Sequence, residues 1–236
     1  NVRNKFGDFS IRSFLKKIFD WFGISSLEAE DVQYQSLGIK EKKDWLRHVE
    51  KLKDISILTN CLDDFDALLR TSSMEPYANA TKKNVFAIPT YVEKKFKEPK
   101  EIDEDTSEDI ADKTGKFVKD QILDMIRGCH RGAKNSQGEE KKFYEAFGER
   151  LEKYLSSISV YHKDIKCGTE LDTYVKWFET PYIRGTSDSS QIGIINEIEV
   201  VPHFIPYLDS NGDQDELILR GTCIVFGERK SRNSLR

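Results

Sequence analysis

The residues of this sequence best suited to bind a metal or attack a substrate are four histidines and four cysteines. His48, His130, His162 and His203 stand far apart. None falls in the HExxH or HxxxH spacing that brings two imidazoles to one helix face. Cys61, Cys129, Cys167 and Cys223 form no CxxC pair. To hold zinc, Cys129-His130 with His162 and Cys167 would have to gather across a helical hairpin, and an adjacent Cys-His pair is poorly spaced for chelation. Glu197 and Glu199 alternate with Ile198 and Val200, so both carboxylates share one strand face. Paired acids can do acid–base or metal work. Without a His, Lys or third acid at defined spacing, a solvated strand face is expected instead.

The acidic run from Asp209 to Glu216 invites a calcium reading. Asp209, Asn211, Asp213 and Asp215 take positions 1, 3, 5 and 7 of a calcium loop. Position 6 is Gln214 rather than Gly, and position 12 is Arg220, whose charge opposes a cation. Asn211-Gly212 instead marks a hairpin turn. Phosphate-binding GxxxxGK[ST] and GxGxxG loops and the GxSxG elbow are absent. The expectation is a non-catalytic protein with no metal site and no cofactor.

Hydrophobic spacing then sets the elements. Residues 9–22 form a basic amphipathic segment, with Phe9, Phe14, Ile18, Trp21 and Phe22 near helical spacing and Gly23 as the stop. A terminal helix packed on the body is expected there, in preference to membrane contact. Trp45, Val49, Leu52, Ile55, Leu58, Leu62, Phe65 and Leu69 recur at threes and fours, a heptad-like helix within 1–70. Residues 71–113 hold Pro76, Pro89, Pro99 and a dense acidic run, so a linker is expected. Residues 114–166 carry an αα-hairpin, its second stripe made by Phe143, Phe147, Leu151, Tyr154, Ile158 and Tyr161. Over 167–228 the period turns strand-like: Tyr174–Phe178, Ile192–Ile198 extended through two prolines to residue 208, and Leu217–Phe226 as one last strand. Residues 229–236 are a tail. The fold class is α+β: a helical N-terminal body and αα-hairpin followed by a small antiparallel β-domain.

A formal charge of −4 speaks against nucleic acid as a partner, since such partners select a basic field. Dispersed cysteines point to reduced thiols and a cytoplasmic protein. The first residue is Asn1 rather than Met, which leaves the native N-terminus open.

The order of these elements resembles GrpE, the nucleotide exchange factor family of Hsp70 chaperones, over residues 117 to 227. QILDMIRGCHRGAK looks like the family's "LLPVLDNLERAL" helix, and FGERLEKYLSSISVYHKDIKCG like its second helix. Gly168-Thr-Glu-Leu171-Asp172 is similar to "G-x-x-F-D". Ile195-Asn-Glu-Ile198-Glu-Val200 is similar to "V-x-E-V-L", and Leu219-Arg220-Gly-Thr-Cys-Ile-Val225-Phe226 to "L-R-P-A-x-V-x-V". The family's Gly-Tyr after the second strand and its "H-x-A-V" histidine are missing, and no long uninterrupted coiled coil precedes the match. The resemblance implies a chaperone partner: a homodimer through the helical hairpin that binds an Hsp70-type ATPase and releases ADP. It places Arg220, Leu219 and Val225 on the docking strand, with Phe204 and Tyr207 as apolar anchors.

Overall fold

The computed structural model describes residues 36–103, 105–163, 165–209 and 212–228, the side chains at 209, 212 and 213 excepted. The segment 9–22 and the tail 229–236 lie outside the described residues. The α+β class holds: helices are followed by two three-stranded sheets. Two compact units divide the chain, and each is discontinuous. Tyr34–Lys163 joins with Pro202–Gly221, and Asp164–Val201 joins with the strand beginning at Thr222.

The expected long helix over 41–70 is broken. Helix α1 (Lys42–Lys53) buries Trp45, His48, Val49 and Leu52 and starts with Asp44 accepting the Glu41 amide. At Asp54 the backbone turns extended, and the Asp54 carboxylate accepts the Ser56 amide, restarting the chain as α2 (Ser56–Asp64) and α3 (Asp66–Leu69). The break costs Leu52 its helical donor, because the Ser56 N–H is taken. Tyr154 supplies the replacement: its buried hydroxyl donates to the Leu52 carbonyl at 2.6 Å. Tyr154→Phe is expected to destabilise the protein by about 1–2 kcal/mol, the cost of leaving a buried carbonyl unmet. Urea unfolding of the two proteins measures it; equal midpoints would show that water replaces the hydroxyl.

The expected linker is largely helix. Helix α4 (Glu75–Lys95) buries Ala78, Thr81, Val85, Ile88 and Val92 at steps of three and four. Pro76 sits in its first turn, where no amide donor is needed, and Pro89 is absorbed inside the helix. The acidic run enters α5 (Thr106–Phe117), whose Ile110, Ala111, Thr114 and Phe117 face inward while Glu108 and Asp109 stay exposed. Burial of these stripes outweighs the composition that suggested mobility.

After a π-helical turn (Val118–Ile122), α6 (Leu123–Asn135) and α7 (Gly138–Ser157) form the expected hairpin. Its apolar stripe is turned into the same chain. Phe143, Phe147, Leu151, Tyr154 and Ile158 are all buried, with Phe143 edge-on to Phe65 and Tyr77. These residues are therefore part of the chain's own core.

The same unit carries the sheet β1 (Tyr161–His162), β4 (His203–Asp209) and β5 (Gly212–Leu219), antiparallel in the order β1-β4-β5. The hairpin pairing closes at Asp209 and Gly212, where the Asn-Gly signal lies. Helix α5 approaches this sheet closely at Gly115, where a Cβ would stand 2.8 Å from Ile218.

The second unit holds β2 (Tyr182–Thr186), β3 (Ile195–Val200) and β6 (Thr222–Glu228) in the order β2-β6-β3. β3 runs antiparallel to β6, and β2 runs parallel to it. Its core is Ile165, Leu171, Phe178, Ile195, Cys223 and Val225, with Tyr174 and Trp177 packed against it. Three strand expectations change here. Tyr174–Phe178 is not a strand, because 3-10 turns at Leu171–Thr173 and Val175–Trp177 bring the aromatics onto the core. The strand beginning near Ile192 does not continue to residue 208. It ends at Val200, and beyond Pro202, which cannot donate to a ladder, the chain enters the other sheet. The last strand divides at Arg220-Gly221 into β5 and β6, one in each sheet. The expected 167–228 β-domain is therefore two sheets in two units.

Candidate functional site

The residues expected on a docking strand do not form one surface. Leu219 and Phe204 are buried in the first sheet, with the Phe204 ring against Tyr161 and under the Lys163 amine. Val225 is buried on the central strand of the second sheet. Side chains this covered give a partner nothing to touch, so these three are corrected to core. Arg220 is exposed where the chain leaves β5, and Tyr207 is half-buried on β4.

The second unit presents a different surface. Tyr182 is 66% exposed and Ile183 65% exposed, and Val175 and Ile192 are exposed as well. Successive strand residues project to opposite faces. Both neighbours are uncovered, so β2 is bare on both faces as well as lying at an edge of its sheet. Ile183 reaches over Gly227 of β6, where a Cβ would stand 2.6 Å from its Cγ2. Arg184 approaches Glu197 of β3 at 4.0 Å, which gives that carboxylate a cation rather than a metal partner. The sequence reading missed β2, placing its first strand a few residues early. Aromatic and β-branched residues directly after Pro181 were the signal available.

The first unit assembles a second cluster. Glu152 lies in the last turns of α7, between buried Leu151 and the Tyr154–Leu155 pair. The chain then turns at Ser159 in a left-handed conformation (φ 65) and enters β1. His162 of β1 pairs in register with His203 of β4. Glu152 Oε2 stands 3.2 Å from His162 Nδ1, and Glu152 Oε1 stands 3.8 Å from His203 Nε2. The two rings meet edge to face with centroids 5.9 Å apart. His203 is fully buried, and the other two side chains are about a third exposed. Burial alone would raise the Glu152 pKa, but the hydrogen bond with His162 and the charge of the two imidazoles outweigh it and pull the carboxyl down to about 2. An ionised carboxylate held between two imidazoles is an arrangement able to bind a cation.

The zinc set that the sequence offers joins His162 to Cys129, His130 and Cys167, but the neighbours of His162 in the structure are Glu152 and His203. Cys129 instead meets the Tyr77 hydroxyl at 3.7 Å. No spacing motif could find this set, because strand pairing, not helical periodicity, brings its histidines together. In the acidic hairpin, Asp215 is paired with Lys163 at 3.3 Å. No helix among the described residues is long and apolar enough to cross a membrane. Comparison with family models, characterised proteins and solved structures finds no match.

Proposed function

We propose that this chain is a non-catalytic binding protein that docks through the sheet of its second unit, acting as a GrpE-like co-chaperone on the ATPase domain of an Hsp70-type protein. The observation that carries the reading is the bare strand β2, with Tyr182 and Ile183 uncovered on opposite faces. Edge strands with exposed apolar side chains invite pairing by another chain unless charge or cover prevents it. An edge strand can dock by adding its backbone to a partner sheet while its side chains fill pockets. The resemblance of element order over residues 117 to 227 supplies the partner class.

ADP release on this mechanism involves no bond chemistry. The module binds the open form of the ATPase more tightly than the closed ADP form, and that difference in affinity shifts the equilibrium. The test is release of fluorescent ADP from an Hsp70-type protein in stopped flow. Wild-type protein accelerates release, while the double variant Tyr182→Ser/Ile183→Ser needs about 30-fold more protein for the same effect, as loss of a 2 kcal/mol anchor requires. Both residues are exposed, so the variant keeps the fold, which circular dichroism verifies. No acceleration and no binding to the ATPase domain would overturn the reading.

A further inference from the structure

The cluster on α7, β1 and β4 serves a different purpose from the docking strand. We propose that Glu152, His162 and His203 form a binding site for a divalent transition-metal ion, zinc being the first to test. The donor set is two imidazole nitrogens and one carboxylate, the type that borderline ions such as zinc prefer over calcium or magnesium. The donor atoms all lie within 4.8 Å of one another.

The separations fit. Ligands about 2.0–2.1 Å from a tetrahedral ion stand roughly 3.3 Å apart. Each carboxylate oxygen stands close to that distance from one imidazole, Oε2 at 3.2 Å from His162 and Oε1 at 3.8 Å from His203. An ion would draw the two imidazole nitrogens and one carboxylate oxygen, now within 4.8 Å of one another, inward to that spacing. The donors are also held in advance. Glu152 is fixed on α7 by the buried residues beside it, and β1–β4 pairing sets the two histidines opposite each other. Little ordering remains to oppose binding. Three protein donors leave a fourth tetrahedral position for water or an external ligand.

The partial exposure of Glu152 and His162 gives an entry path and makes both replaceable without opening the core. A hydrogen-bonded Glu–His–His clamp with no affinity for metal is the competing explanation. Titration of the whole chain, freed of metal by chelator, separates the two. Isothermal calorimetry at neutral pH should give one zinc ion per chain, with a rise in Tm of several degrees. Cobalt in the same site should show visible d–d bands without a thiolate charge-transfer band. Glu152→Gln and His162→Ala should each weaken zinc at least tenfold. Cys167→Ser, which removes the exposed thiol, should leave binding unchanged. Tyr182→Ser/Ile183→Ser should also keep the ion, so failure here and failure of docking are told apart. No zinc uptake, uptake that survives both ligand variants, or uptake lost with Cys167→Ser would each overturn the site.

Discussion

Gly132→Val is expected to lower the melting temperature by about 6–12 °C. Gly132 lies where α6 crosses α7, and a Cβ there would stand 2.3 to 2.4 Å from ring atoms of Tyr144. The ring has little room to retreat: it sits 4.9 Å from Tyr77 and 5.5 Å from Phe143, centroid to centroid, both edge-on or tilted. Overpacking of this kind costs about 3 kcal/mol, and valine gives back only a small part of glycine's helix penalty. For a chain of this size each kcal/mol is worth about 2–4 °C. Calorimetry of wild type and variant measures the shift. The same substitution in a Tyr144→Ala background tests the cause, since removing the ring should relieve at least 1 kcal/mol of the cost. Equal costs in both backgrounds would place the obstruction elsewhere.

The second large effect is a loss of stability in acid that originates at His48. This side chain is buried on α1, and its Nε2 lies 3.0 Å from the Thr114 hydroxyl oxygen. The Thr114 hydroxyl already donates to the Ile110 carbonyl at 2.8 Å, so the histidine donates and the threonine accepts. Burial, helped by the nearby Lys51 charge, pushes the His48 pKa from 6.5 down to about 4. The folded pKa is below the unfolded one, so between these values the unfolded chain binds more protons. Stability is therefore complete above about 6.5 and falls with pH until about 4. The shift is worth about 3 kcal/mol over that window. Urea unfolding at pH 7.5 and 4.5 should show most of it. His48→Gln keeps a donor for Thr114 but carries no charge, so its stability should fall by about 2 kcal/mol less over the same interval. Identical pH dependence in variant and wild type would clear His48.

Where the sequence was legible, the reason was periodicity. The hairpin of α6 and α7 follows directly from Phe143, Phe147, Leu151 and Tyr154, all buried as their spacing requires. The α4 stripe of Ala78, Thr81, Val85, Ile88 and Val92 has the same regularity, but its prolines and acidic surroundings carried more weight than they should have. Pro76 occupies a first turn, where its missing donor is harmless. The continuous pattern over 41–70 failed in the opposite sense, because a stripe can persist through a break when each short helix packs on the same body. The β region was least legible. Strand-like patterning locates strands but does not say which sheet each joins, and Leu217 to Phe226 reads as one strand although it feeds two. The metal cluster lay beyond reach for that reason: nothing in the spacing of Glu152, His162 and His203 announces that β1 pairs with β4.

That division between sheets has a consequence for assembly. β3 and β6 are antiparallel partners, yet the chain between them is spent on the β4–β5 hairpin of the other unit. Their pairing is thus the closing of a long loop, and it gains least from local sequence and most from having the loop's contents already folded. The second sheet is therefore complete only when the chain has passed through the hairpin and returned at Thr222. A chain truncated before Thr222 would keep the hairpin and lose the central strand of the second sheet. That sheet's integrity therefore depends on a hairpin that contributes no strand to it.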